Sequence, residues 1–213
     1  MKRFFTLISC AVLSTVAMFA QVHFKATTIE NGEFAEGTTW YTMGIGVGAK
    51  LIKDNAGADH IALGISTPKG NDDELWCFVG NDTDGYAVYN KQAGTSKVLA
   101  SKTSMSAISG YGGTGGSTHP TMQDAANLPE GYVGRWDFAT SNKIANVNGY
   151  FMRIHGTNYA VNDFGGLGKL AFWAEGADGV VSLQIAESSQ ISPEQKHLMA
   201  EATHFNPVDI VCG

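Results

Sequence analysis

Apolar and polar residues trade places in short runs from residue 38 to about residue 188, and the dominant period is two. The runs fall at residues 39–43, 50–53, 61–65, 75–79, 86–90, 97–100, 132–133, 135–139, 143–147, 150–154, 159–161, 169–174 and 180–185. Aromatic and β-branched residues fill them, so each reads as a strand with one buried face. Between the runs stand pairs that tolerate positive φ: Asn31-Gly32, Asp84-Gly85, Asn148-Gly149 and Asp178-Gly179. Such pairs favour tight hairpins. No helical period of useful length precedes residue 190, and the predicted fold class is all-β. The tail changes character. Ser192-Pro193-Glu194-Gln195 places a capping hydroxyl, a proline and an acid where a helix begins, which predicts a short C-terminal helix to about Thr203. The abrupt close at Val211-Cys212-Gly213 reads as the front part of a longer protein or as a docked tail.

One phrase recurs: an aromatic strand, a polar turn, a new strand. It runs Leu75-Trp76-Cys77-Phe78-Val79, then 81–85, then 86–90; again as Arg135-Trp136-Asp137-Phe138-Ala139, then 140–142, then 143–146; and again as Leu170-Ala171-Phe172-Trp173-Ala174, then 175–179, then 180–185. Residues 109–131 read as a Gly/Ser/Thr-rich insertion, either a functional loop or an excursion. Without it the period is roughly 40 residues, within the range of repeated supersecondary units. Three such units need one another's inner faces to close a core, which predicts a threefold barrel over residues 38–188, with 189–213 as a tail or linker.

Charge and composition narrow the functions. Lys2 and Arg3 precede an almost unbroken apolar run to Phe19, and small residues follow. This is the pattern of a signal peptide over residues 1–20, with cleavage after Ala20 or, as a second choice, after Ala17. Export to the medium or the periplasm is expected. Without Lys2 and Arg3, 12 basic side chains face 20 acidic ones, a formal charge of −8. That balance argues against nucleic acid and anionic membranes as partners, and no later apolar stretch approaches membrane length. Cys77 sits in an apolar strand and reads as a buried small residue; pairing with Cys212 is chemically permitted outside the cytoplasm.

The Trp-x-Phe strands, with Lys97-Val98-Leu99 and Asn158-Tyr159-Ala160-Val161 ahead of the later ones, resemble a ricin-B-type β-trefoil lectin. In that family each repeat carries a Gly-x-Tyr/Cys-Leu strand and closes on Gln-x-Trp. Trp76, Trp136 and the Phe172-Trp173 pair take the closing role, although no Gln stands two residues before any Trp. The resemblance covers about residues 38–188. It implies a β-trefoil-like barrel of three pseudo-repeats that binds a glycan without cofactor or metal. It also implies the company of a secreted bacterial carbohydrate-active enzyme such as a sialidase, so a downstream catalytic domain is an expected neighbour.

A sugar needs a ring for its C–H face and paired donors and acceptors for its hydroxyls. The candidate residues are Asn158, Tyr159, Asn162, Asp163 and Phe164, where alternation sets amides and a carboxylate beside rings, and Asp54 and Asn55 with His60. Trp76, Trp136 and Trp173 read as core. Residues 81–85 begin like a calcium loop but lack the later ligands, so an Asp-Gly hairpin explains them better. The six histidines show no metal-ligand spacing, and no nucleophile elbow or phosphate-binding loop is present. The reading is a non-catalytic carbohydrate-binding module. The alternatives are a glycoside hydrolase fragment, whose carboxylate spacing only a fold reveals, and a trefoil that binds or inhibits a protein.

Overall fold

The computed structural model describes residues 24–45, 51–54, 63–66, 71–102, 120–141, 149–163, 170–174 and 182–188, with side chains left undescribed at 45, 51–54, 63–66, 162–163 and 170–174. A lead folds as a small hairpin, β1 (Ile29–Glu30) and β2 (Glu33–Phe34). The first repeat holds β3 (Tyr41–Ile45), β4 (Leu51–Asp54), β5 (Leu63–Ser66) and β6 (Trp76–Asn81). The second holds β7 (Gly85–Asn90), β8 (Lys97–Lys102), β9 (Thr121–Asp124), β10 (Tyr132–Val133) and β11 (Trp136–Ser141). The third holds β12 (Gly149–Ile154), β13 (Tyr159–Asp163), β14 (Leu170–Ala174) and β15 (Leu183–Glu187).

The first and last strands of each repeat close a ring. β3 pairs with β6, β6 with β7, β7 with β11, β11 with β12, β12 with β15, and β15 returns to β3, each pair antiparallel. The middle strands form one hairpin per repeat: β4–β5, β8–β9 and β13–β14. A six-stranded barrel with three hairpins is the β-trefoil arrangement, and closure leaves the barrel strands no open edge.

Register makes the threefold relation explicit. Tyr41 faces Trp76, Tyr86 faces Trp136 and Tyr150 faces Leu183 across the first and last strands of the three repeats. Trp76, Trp136 and Leu183 are fully buried, and the Trp136 indole donates to the Leu99 carbonyl at 2.9 Å. Two residues on, Phe78, Phe138 and Ile185 face Val88, Met152 and Met43. Phe24 lies against this layer from the lead. Its ring stacks on Phe78 at 4.0 Å and meets Phe138, Tyr41, Tyr86 and Tyr150 edge-on at 4.9 to 6.4 Å. Ile29, Phe34 and Trp40 of the lead cover Cys77, Ala87 and Tyr89 on the outer wall of β6 and β7, with Val98 of β8.

Three details differ from the sequence pattern. Thr121–Asp124, read as part of an insertion, is the strand β9 that pairs Met122 with Leu99 in the core. One apolar residue behind a proline left no legible alternation there. Phe172 and Trp173 belong to the hairpin strand β14, paired with Val161 and Ala160. The counterpart of Trp76 and Trp136 is therefore Leu183, an aliphatic residue that broke the aromatic phrase. The strand that pairs with β11 is Gly149–Ile154. The expected run at 143–147 and the expected helix at 192–203 lie outside the described residues.

Candidate functional site

Of the residues singled out for sugar contact, Asn158 is exposed and Tyr159, partly buried, packs against the core. Asn162 and Asp163 pair with Ala171 and Leu170 in the third hairpin, and Asp54 pairs with Leu63 in the first. Asn55, His60 and Phe164 lie outside the described residues. Of this set, only Asn158 and Tyr159 have described side chains. Asn158 does end the turn, begun at His155, that borders a cavity.

That cavity, about 280 Å3, opens where the second repeat meets the third. β7 and β11 pair through Trp136 and Tyr86. Beyond that bridge β11 runs on past the start of β7, so the Asn81–Gly85 turn stands beside Asp137 and Phe138. The turn is held by the Asn81 side chain: Oδ1 accepts from the Thr83 and Asp84 amides at 2.8 and 2.9 Å, and Nδ2 donates to Asp84 at 3.0 Å. Gly85 closes it at φ +73°. This is the expected Asp-Gly hairpin. Asp82 is left to face the cavity and accepts from the Tyr86 hydroxyl at 2.9 Å. Burial, and then the Asp82 carboxylate, push the Tyr86 phenol up to about 12.

The opposite wall comes from the β11–β12 hairpin. Trp136, Met152 and Ile154 belong to the core cluster and Phe138 packs against it, so alternation turns Asp137 and its cross-strand partner Arg153 outward. His155 follows β12. Its Nδ1 lies 2.7 Å from Asp137 Oδ1, and the Gly156 amide donates to Oδ2 at 3.1 Å. With its amide donating to the Arg135 carbonyl at 3.0 Å, His155 is pinned from both sides. Gly85 makes room for the ring, because a Cβ there would stand 2.9 Å from His155 Nδ1.

Both oxygens of Asp137 are thus engaged, and its side chain is 22% exposed against 36% for His155. A neutral imidazole that donates Nδ1–H to a carboxylate presents Nε2 as an acceptor; protonated, it presents a donor. The cavity therefore offers carboxylate acceptors, guanidinium donors, hydroxyls of Thr83 and Tyr86, an imidazole, and the partly buried Phe138 ring. Among the described residues no group of three or more His, Cys, Asp or Glu side chains could hold a metal ion. Asp137 and His155 were not singled out from the sequence. They are far apart along the chain and match no motif; the only trace is a charged residue between core residues on each strand.

Comparison with solved structures supports the fold. The chain resembles ThreeFoil, a designed three-fold symmetric protein, at TM-score 0.51 and 11% identity over 70% of this chain and 98% of that one. It resembles the BEL β-trefoil at TM-score 0.50 and 12% identity over 75% and 99%. A mosquitocidal holotoxin matches at TM-score 0.53 and 10% identity over 72% of this chain, which spans 18% of the toxin's length. These likenesses show the fold alone. A family model described as a domain of unknown function (DUF4301) matches residues 143–213. No curated protein matches the sequence.

Proposed function

We propose that the chain is a non-catalytic carbohydrate-binding module, exported by its N-terminal leader and working alongside a carbohydrate-active enzyme. The observation that carries the reading is the cavity at the second seam. Its acceptors, donors and ambivalent groups surround a small space bordered by an aromatic ring. A sugar hydroxyl both donates and accepts, so a polyol is the ligand class that satisfies such a mixture. The sequence resemblance to ricin-B-type lectins points the same way. A β-trefoil supplies rigid strands for the cavity's walls, which keeps the ordering cost of binding low.

A glycan array probed with residues 21–213 tests this. Selective retention of a family of glycans, lost in Asp137→Ala and His155→Ala variants that still fold, is the expected result. A blank array with the folded chain would end the carbohydrate reading and direct attention to protein partners.

A further inference from the structure

The threefold relation lets the barrel serve as its own control. At each seam the second residue of a repeat's last strand faces a residue of the neighbouring strand. The three pairs are Cys77 with Tyr89, Asp137 with Arg153, and Gln184 with Gly44. The fold therefore forms as well with a thiol and a phenol, or with an amide and a glycine, as with a carboxylate and a guanidinium.

Counterparts of His155 differ too. The residue that follows β7 is Lys91, whose ammonium lies 2.8 Å from Asp72 and over the Trp40 ring at 5.7 Å. Cys77 and Tyr89 at that first seam are covered by Phe34 and Trp40 of the lead. At the seam between the third and first repeats, Lys25 bridges to Glu187 at 2.9 Å, and the Ser188 amide donates to Trp40 at 2.8 Å. One seam is thus covered, one stitches the lead to the last strand, and the second is polar and hollow.

Resting on the carbohydrate reading above, we propose that the seam between the second and third repeats is a single sugar site. It takes one neutral pyranose from the end of a glycan, with His155 as the ligand-facing group and Asp137 as its positioning residue. Size sets the ring count: about 280 Å3 lies just below the ~300–1,000 Å3 typical of sites for drug-sized molecules. Asp137 acts through His155 because both its oxygens are already engaged. Neutrality follows from the walls, since Asp82 and Asp137 offset Arg153 and leave no excess of positive charge for an acidic sugar.

The test is an amide-shift NMR titration of residues 21–213 with neutral monosaccharides (galactose, glucose, mannose, fucose and their N-acetylhexosamines) and with N-acetylneuraminic acid. The expected result is one saturable site for a neutral sugar, with shifts centred on Thr83, Gly85, His155 and Gly156. His155→Ala weakens it about tenfold, the loss of one hydrogen bond, while His155→Gln, which keeps a polar tip, loses less. Asp137→Asn moves the imidazole nitrogen shifts of the free protein as well as the affinity, which a merely structural residue would not do. Shifts centred on the β4–β5 or β13–β14 hairpins, more than one equivalent of sugar, preference for the acidic sugar, or indifference to His155→Ala would overturn this site while leaving glycan binding intact. No shift with any sugar, together with a blank array, would remove the carbohydrate reading as well.

Discussion

Tyr86 joins the core to the cavity: its ring faces Trp136 and its hydroxyl donates to Asp82. Its phenol is raised from 10.0 to about 12, first by burial and then by Asp82. A raised acid favours the protonated form in the folded state. Its stabilising contribution is complete below pH 10 and is lost as pH rises through about 12. Burial also raises Tyr41 and Tyr89, so stability should fall on the alkaline side. A phenolate absorbance titration should show a late-titrating tyrosine that Tyr86→Phe deletes and Asp82→Asn moves part of the way down, since burial remains. The site was less legible than this residue's neighbourhood. Asp137 and His155 meet only because β11 and β12 pair in one register, and single residues at unremarkable positions carry no spacing signal. Tyr159, one of the candidate rings, is partly buried and packs against the core.

At the scale of elements, strands with strong alternation were legible and weak ones were not. Trp76–Asn81 and Gly85–Asn90 follow from aromatic runs around an Asp-Gly turn. β9 escaped because its core contribution is Met122 alone, beside Thr121, a buried polar neighbour of low contrast. The lead supplies a ring to the barrel core and a cover to its wall. Phe24→Ala removes a ring in contact with five aromatics and should cost about 3 kcal/mol, read from the midpoint of a urea unfolding curve at unchanged slope. The cover has its own reporter. Cys77 is a free, buried thiol whose pKa burial pushes up to about 12. In a Cys212→Ser background it should resist thiol reagents until unfolding, and Phe34→Ala should speed labelling by uncovering it. Equal labelling rates in the two proteins would mean that the hairpin does not shield that wall.

For the whole molecule the decisive fact is ring closure. β15 near the end of the described chain pairs with β3 near its start, from Glu187 with Tyr41 to Leu183 with Ile45, so no repeat completes its own barrel segment. Gly149 belongs to the same closure. A Cβ there would run into the Ser182 hydroxyl, and Gly149→Ala should destabilise by about 1–3 kcal/mol through overpacking, seen as a lower melting temperature. The family match beginning at residue 143 divides the β11–β12 hairpin, whose strands pair from Trp136 with Ile154 to Ser141 with Gly149. That boundary cannot mark an autonomous barrel. Residues 24–142 and 143–213 expressed separately should each show no cooperative unfolding by circular dichroism, because each exposes strand edges and half of the core. The intact chain should unfold in one transition and refold slowly, as closure across so much sequence requires. Cooperative melting of the 143–213 fragment alone would show that the third repeat holds a core of its own, and the barrel would then be an assembly of independent units.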